Sequence, residues 1–198
     1  MHKLHILYLT LLFVSCSHQE EQNSIQQYFD EQEIKHLELL MNFVRNEITA
    51  DCKSEYEECI SKYFNQYEDL PANASDIDLG ISKEKEKELL TKIDKSLFDK
   101  IWIYCEGSKA TSKKDKRVKI KSLCINSKGK FAELLLSTTK SKDTLQIYGK
   151  PFEYLGDYSA SMNSLLLKQS ERFDFESKRE FLLITIHLLT LNYPEETF

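Results

Sequence analysis

Five cysteines are the side chains of this 198-residue chain with the broadest chemistry, because thiols form disulfides, bind metals and carry covalent groups. Cys16 directly follows an apolar run, and the other four are Cys52, Cys59, Cys105 and Cys124. Setting Cys16 aside leaves an even number, which in an exported chain predicts two disulfides. The alternative is four free, buried thiols, which is common where no oxidant acts.

Helix geometry and strand neighbours favour one of the three possible pairings. Cys105 and Cys124 lie on adjacent predicted strands, where cross-strand neighbours are close enough to bridge. Cys52 and Cys59 would be about 10.5 Å apart in one unbroken helix, which is too far for a disulfide. Because a capping-box sequence at Ser54 begins a new helix, a local bridge becomes possible. We therefore favour Cys52–Cys59 with Cys105–Cys124; the alternative joins both helix cysteines to the sheet.

The other catalytic and metal-ligating residue types lack converging partners. Glu33 and His36 have the Glu-x-x-His spacing of four-helix carboxylate metal proteins, but those proteins need a second copy on another helix, which this chain lacks. His187 lies in an apolar run and is predicted to be a core histidine. Ser-x-x-Lys matches occur as often as chance allows and lack their partner motifs. The sequence therefore predicts no catalytic residue, no metal site and no cofactor.

The first residues predict where in the cell the protein is located. Lys3 gives the start a positive charge, and the apolar run from Ile6 to Val14 is too short to span a bilayer as a helix. This combination is typical of a secretory signal. Phe13-Val14-Ser15-Cys16 resembles the lipobox of bacterial lipoproteins, in which the signal is removed before the cysteine and the cysteine is lipidated. Lipoboxes usually have Leu, Val or Ile three residues before the cysteine, and Phe13 departs from that pattern.

The resemblance to bacterial lipoproteins implies a signal peptide at 1–15, a lipid-anchored tether at 16–23 and a single domain at 24–198. Several acyl chains on Cys16 would hold the protein firmly on a membrane. Acidic residues shortly after that cysteine resemble the surface-export signal of lipoproteins from Bacteroidota. The expected location is the outer membrane of the cell envelope, on its periplasmic face or at the cell surface. The alternatives are secretion with cleavage elsewhere and a buried first helix.

Charge is unevenly distributed along the chain. The net charge of −5 argues against a nucleic-acid partner. Residues 16–79 carry four basic and fifteen acidic side chains, whereas residues 109–130 carry nine basic and one acidic side chain. The basic segment could bind an acidic protein, phospholipid headgroups or a polyanionic glycan, or could simply protect an edge strand from aggregation. Its candidate partner-binding residues are Lys113, Lys114, Lys116, Arg117, Lys119 and Lys121.

Hydrophobic periodicity predicts an α+β fold. Apolar residues recur every three or four positions in three N-terminal helices, at about 24–50, 54–67 and 82–97. A four- or five-stranded antiparallel meander follows, because β-rich runs are joined by short turns. Its strands are predicted at 101–105, 117–125, 131–139 and 144–148, with a short fifth at 152–155. From residue 161 the helical period returns, and a long or broken C-terminal helix is predicted to pack on one sheet face.

Three functions are compatible with these features. The leading hypothesis is a lipid-anchored envelope protein that binds another macromolecule without catalysis; one specific version is an immunity or inhibitor lipoprotein that neutralises an envelope toxin. The second is a small envelope enzyme or ligand carrier with a site between the sheet and the C-terminal helix, near Trp102, Tyr148 and Tyr154. The third is a structural envelope component. A deep polar pocket with converging titratable groups would favour the second hypothesis, and a filled interior the first.

Overall fold

The computed structural model describes residues 25–71, 74, 77–110 and 117–197. Eight α-helices and one small antiparallel sheet lie in this part of the chain, and their buried apolar side chains form one core. In chain order the elements are α1 (Glu31–Thr49), α2 (Tyr56–Asn65), α3 (Lys83–Thr91), α4 (Lys95–Ile101), β1 (Trp102–Ala110), β2 (Arg117–Ile125), α5 (Lys130–Ser141), α6 (Asp143–Leu155), α7 (Ala160–Lys168), a 3₁₀ turn (Ser170–Arg172), α8 (Lys178–Asn192) and β3 (Glu196–Thr197).

The α+β class is confirmed, but two parts of the predicted architecture are wrong. Four helices precede the first strand instead of three, because the third predicted helix ends after Thr91 and a new one begins at Lys95. The four- or five-stranded meander is also wrong. Two nine-residue strands form an antiparallel ribbon, and the two-residue β3 adds to β2, giving the order β1-β2-β3.

The segments predicted as the third, fourth and fifth strands are the helices α5 and α6. Buried side chains of α5 recur at helical spacing, and so do those of α6 at Leu145, Tyr148 and Phe152. Leu, Ala and Glu are good helix formers, and they outweigh the threonines and aromatics that suggested strands. The segments never showed strict alternation, so the strand prediction rested on composition instead of period.

Two glycines permit close packing around α5. The turn at 126–129 joins β2 to α5, and Gly129 has a φ of −82°. A Cβ at Gly129 would lie 2.2 Å from the carbonyl oxygen of Lys100. A Cβ at Gly149 of α6 would lie 2.0 Å from Thr139 Oγ1 of α5. Both positions therefore exclude a larger side chain for steric reasons.

Helix α8 is central, as its apolar composition predicted. All residues from 180 to 189 are buried. Its polar side chains bond to the elements around it: the Trp102 indole donates to Thr190 at 2.9 Å, and Arg179 donates to Thr138 on α5 at 2.6 Å. Helix α8 begins after Ser177, whose hydroxyl accepts from the backbone N–H of Glu180 at 3.3 Å. Directional bonds of this kind fix the rotation of each neighbour about the central helix.

The β1–β2 ribbon is buried only at its base. Trp102 pairs with Ile125 at that end, and both are buried, whereas Gly107, Ser108 and Arg117 toward the other end are exposed. The nine residue pairs run without a bulge. Strand β2 therefore passes from solvent into the core without a break in its pairing with β1.

Candidate functional site

The two disulfides link the residues favoured from the sequence. Cys52 bonds Cys59 with their Cα atoms 5.5 Å apart, and Cys105 bonds Cys124 at 5.9 Å. Cys105 lies opposite Ser122 in the ribbon, so its bond to Cys124 runs diagonally between β1 and β2. Both disulfides therefore brace short, local parts of the chain.

The helix break that allows Cys52–Cys59 is real, but its predicted cause is wrong. Helix α2 begins after Glu55, and no side chain caps its first turn. Ser54 Oγ instead accepts from Lys62 Nζ at 3.2 Å, and Cys59 Sγ lies 3.4 Å from the Ser54 carbonyl oxygen. The disulfide thus joins the chain after α1 to the first turn of α2.

The predicted basic cluster is only partly described by the structure. Lys113, Lys114 and Lys116 lie outside the described residues, as does Cys16. Arg117 and Lys119 are exposed near the free end of β2, and Lys121 is half-buried nearer the base. The Lys121 ammonium lies 4.0 Å from the ring centroid of Tyr104 on the paired strand. The described part of the basic cluster is therefore continuous with an aromatic surface on β1.

An apolar groove of about 700 Å³ lies between α3, α4 and β1. Tyr104 is 47% exposed beside it, and Ile103 is 44% exposed. Successive strand side chains point to opposite faces, so neither face of the ribbon is covered by the described residues at this point. We call this surface the aromatic groove; its apolar and aromatic lining residues are Leu90, Ile93, Phe98, Trp102, Ile103, Tyr104 and Tyr193.

Aromatic contacts and lysines organise the aromatic groove. The Tyr104 ring lies 5.5 Å from Phe98 and 6.2 Å from Tyr193. Lys87 lies 5.9 Å from the Tyr193 ring, and burial beside Tyr104 raises the pKa of the Tyr193 phenol. Lys87 also pairs with Glu196, and Lys95 pairs with Asp99 at this rim. The tilted rings of the lining therefore suit an apolar segment, and attraction for negative charge comes from the ribbon lysines.

The outer edge of β1 borders the same groove. The sheet order β1-β2-β3 leaves this edge unpaired with any strand in the described part of the chain. An unpaired edge presents backbone donors and acceptors that an extended segment of another chain can satisfy. The groove and the edge together offer side-chain and backbone contacts to one peptide.

A second, polar cleft of about 1090 Å³ lies between β2 and the C-terminal end of α8. Asp157 and Tyr158 line it from the α6–α7 connection, and Asn163 lines it from α7. The Tyr158 hydroxyl is buried and has no hydrogen-bond partner among the described residues. Burial raises the pKa of the Asp157 carboxyl, although backbone hydrogen bonds oppose that rise.

His187 also borders the polar cleft, but its ring is held inside the protein. Its Nε2 lies 2.7 Å from Asn163 Oδ1, and its Nδ1 lies 2.5 Å from the Tyr148 hydroxyl. Because an amide oxygen can only accept, Nε2 carries the proton and Nδ1 accepts from Tyr148. Tyr158 stacks on the imidazole at 3.7 Å, and burial lowers the pKa of His187 to about 3. The ring is thus neutral, fully hydrogen-bonded and sequestered.

The three residues predicted around an enzyme or carrier site do not converge. Tyr148 is buried against His187, and Trp102 is buried with its indole N–H bonded to Thr190. Tyr154 is 87% exposed on another surface. Sequence reasoning missed Asp157, Tyr158 and Asn163, because they come from two connections far from β2 in the chain and form no local motif.

Other side chains of types that bind metals have hydrogen-bond or ion-pair partners within the protein. Glu33 caps α1 as part of a capping box and binds Lys100 Nζ at 2.6 Å, and His36 Nδ1 lies 3.5 Å from Asp94. One group of three metal-type ligands lies within 4.8 Å in the described residues: Cys105, Cys124 and Asp157. Its two sulfurs are bonded to each other, which removes the thiolates that a metal would need.

Comparison with known proteins finds no counterpart: no family model, no curated protein and no solved structure matches this chain. Within the described residues, no helix combines the length and apolar character needed to cross a membrane.

Proposed function

We propose that this protein is a lipid-anchored component of a bacterial cell envelope that binds an extended, acidic segment of a protein partner and performs no catalysis. The observation that carries this proposal is the aromatic groove beside the unpaired edge of β1. Anchoring rests on the lipobox-like sequence ending at Cys16, which places the protein at the outer membrane, on its periplasmic face or at the cell surface.

The groove supports a peptide partner because it offers two kinds of contact side by side. The β1 edge supplies a row of backbone groups, which gives affinity without requiring a particular sequence. Tyr104, Phe98 and Tyr193 supply rings for alternate side chains of an added strand. Exposed aromatic residues are the side chains most often found at the energetic centre of protein interfaces.

Charge supports an acidic partner. Residues 109–130 carry a net charge of +8, and they include both the end of β1 and most of β2. Like charges on this ribbon repel a basic segment and attract an acidic one, which raises the association rate and sets orientation. A polyanionic glycan offers the charge but no peptide backbone, so it would leave the backbone groups of the β1 edge unused.

A binding role without catalysis is further supported by the state of His187. The groups that resemble a catalytic set, Tyr148, His187 and Asn163, bond to one another, and Tyr148 and His187 are fully buried. A general base must reach the proton that it removes. One specific version of the proposal is an immunity or inhibitor lipoprotein, in which the bound segment belongs to an envelope toxin.

The experiment is site-specific photo-crosslinking in intact cells. A photoreactive amino acid at Tyr104 should capture one partner, and the same amino acid at Leu39, an equally exposed apolar residue of α1, should not. The captured partner, once purified, should bind the Ile103→Ser/Tyr104→Ser variant at least about tenfold more weakly than wild type. Equal capture from Leu39, or unchanged affinity of the variant, would overturn the proposal.

Two further measurements separate the parts of the proposal. Palmitate labelling should be lost in Cys16→Ala; unchanged labelling would refute the anchor while leaving the groove untouched. Charge reversal at Lys113, Lys114, Lys116 and Arg117 should weaken binding and flatten its salt dependence. If every partner stays bound to that variant, the basic ribbon is not part of the interface.

The unpartnered Tyr158 hydroxyl favours a second candidate, a carrier of a small polar ligand. The Asp157 carboxyl lines the same polar cleft and offers an acceptor to a ligand. Native mass spectrometry of protein isolated from the envelope distinguishes the candidates, because a carrier retains a small molecule that Tyr158→Phe releases, whereas a peptide-binding protein retains none.

A further inference from the structure

Helix α6 carries large apolar side chains on the side facing away from the core. Leu145, Tyr148 and Phe152 point inward and are buried. Ile147 and Tyr154 are 43% and 87% exposed, and they lie seven residues apart, so they share one face of the helix. Single exposed apolar residues are common on protein surfaces. Here Ile147 and Tyr154 share one helical face beside a third exposed apolar residue, Leu155, which is uncommon.

The residues around these two extend the same surface. Leu155 follows Tyr154 and is 63% exposed, and Lys150 is exposed between Ile147 and Tyr154. The nearest acidic side chain on this part of the helix, Glu153, is paired with Lys140 of α5 at 2.8 Å. We call this surface the α6 outer face: Ile147, Lys150, Tyr154 and Leu155. An apolar helix face that includes a lysine and a tyrosine is typical of helices lying in a membrane interface.

The α6 outer face belongs to the helix pair at which the chain enters the domain. The Tyr28 hydroxyl, three residues after the start of the described chain, donates to Ser137 Oγ of α5 at 3.1 Å. Two residues further along α5, Thr139 packs against Gly149 of α6. The nine residue steps from Cys16 to Ile25 reach at most about 30 Å. A lipid on Cys16 would therefore hold Ile25, whose segment contacts α5 through Tyr28, within about 30 Å of the bilayer.

We infer that the α6 outer face lies on the lipid surface in which Cys16 is anchored. This inference rests on the lipid anchor of the proposed function. The helix lies parallel to the membrane, with Ile147 and Leu155 in the acyl boundary, the Tyr154 ring at headgroup level and Lys150 toward the phosphates. Burying these side chains adds weak affinity of its own, and the lipid supplies the rest.

The test uses the lipidated full chain reconstituted in nanodiscs of phosphatidylethanolamine and phosphatidylglycerol. Tyr154→Cys carries an environment-sensitive fluorophore, and Leu39→Cys carries the same label as a control on α1. We expect a blue shift and quenching by nitroxide-labelled lipids at position 154 and neither at position 39. Equal solvent exposure of both labels, or quenching at position 39 alone, would overturn the inference although the anchor remains.

A second measurement does not depend on lipidation. The mature chain from residue 16, with Cys16→Ala and without the apolar run of the signal, should bind vesicles of the same lipids weakly, and Ile147→Ser/Tyr154→Ser/Leu155→Ser should lower the partition coefficient by about tenfold or more. Leu39→Ser should leave it unchanged. Unaltered binding of the triple variant contradicts the inference, as does sedimentation showing that the α6 outer face joins two copies of the chain in solution. Failure of palmitate labelling with vesicle binding intact contradicts only the anchor.

Discussion

Polar side chains of helix α8 form hydrogen bonds to neighbouring elements, whereas the β1–β2 ribbon leaves aromatic and apolar side chains exposed. Along α8, His187, Thr190 and Asn192 are enclosed, and each bonds to a neighbouring element. On the ribbon, Tyr104 and Ile103 are nearly half exposed, and the outer edge of β1 pairs with no other described strand. The buried polar groups hold the fold together, and the exposed aromatic groups remain free for a partner.

The comparison shows why residue type alone misleads in this protein. The Tyr148–His187–Asn163 chain has the order of a hydroxyl, a base and an orienting amide, yet all its hydrogen bonds are internal. Removing any member leaves a buried polar atom without a partner, which costs more than the bond itself. Function is better sought where rings and backbone edges remain accessible.

His187→Leu is expected to have the largest effect on stability, and it tests the contrast between α8 and the ribbon most directly. The substitution leaves the buried Tyr148 hydroxyl without its acceptor and the half-buried Asn163 amide without its ring partner, so the free energy of unfolding should fall by about 3 kcal/mol. Urea denaturation measures this loss. If the variant instead keeps wild-type stability, His187 is dispensable for folding, and its position beside the polar cleft would then favour a functional role.

The same variant should change the response to acid. Burial lowers the pKa of His187 from 6.5 to about 3, so the unfolded chain binds a proton that the folded chain refuses in this range. Wild-type stability should therefore fall as the pH decreases from about 6.5 to about 3, and His187→Leu should lack this part of the slope. Tyr148→Phe, which retains the histidine, serves as the control and should keep the slope.

A smaller effect of opposite sign is expected at Glu86, which faces the C-terminal end of α8. Its Oε2 accepts from Asn192 at 2.6 Å, its Oε1 has no partner, and burial raises its pKa from 4.5 to about 8. The folded chain keeps a proton that the unfolded chain releases, so stability falls as the pH rises from about 4.5 to about 8. Glu86→Gln should remove this fall and stabilise the protein by about 2 kcal/mol at pH 8.

The control for Glu86 lies two residues away on the same helix. Glu88 is exposed and paired with Lys92, which lowers its pKa. Glu88→Gln should leave the alkaline fall in stability in place. Urea denaturation of both variants from pH 4 to pH 9 makes the comparison. If the free energy of unfolding still falls with rising pH in Glu86→Gln, the proton that causes the fall belongs to another group.

Sequence reasoning recovered the elements whose burial pattern is local. The apolar period of α8, the hydroxyl of Ser82 at the start of α3 and the pairing of β1 with β2 all followed from neighbouring residues. Sequence reasoning failed where the same amino-acid composition is compatible with either a strand or a helix. The leucines and threonines of α5 suit either a strand or a helix, and packing against α6 at Gly149 decides for the helix.

The candidate surfaces were harder to predict because they are tertiary. Tyr104 was predicted as a strand residue, but its exposure depends on which elements pack on each face of the ribbon, and neighbouring residues do not reveal that. The polar cleft joins Ser122 to Asp157 and Asn163 across three elements. Only the net charge of the ribbon could be derived in advance, because charge needs no knowledge of contacts.

The smallest expected effect lies at Asp157, which connects the two regions compared above. Its Oδ1 accepts from the backbone N–H of Ile125 at the base of β2 and from that of Tyr158 in the α6–α7 connection, at 3.1 and 2.8 Å. Asp157→Ala removes both hydrogen bonds and should lower the free energy of unfolding by about 1 kcal/mol. Asp157→Asn keeps an acceptor oxygen and relieves the cost of burying charge, so it should stay within about 0.5 kcal/mol of wild type.

Amide hydrogen exchange at Ile125 locates the effect as well as measuring it. Asp157→Ala should speed exchange at that amide and leave the amides of α8 protected, because the ribbon base loosens while the central helix retains its own bonds. Equal destabilisation by Ala and Asn would mean that the negative charge itself matters at this position. The polar cleft would then hold a group chosen for its charge, and the carrier function would gain support over peptide binding.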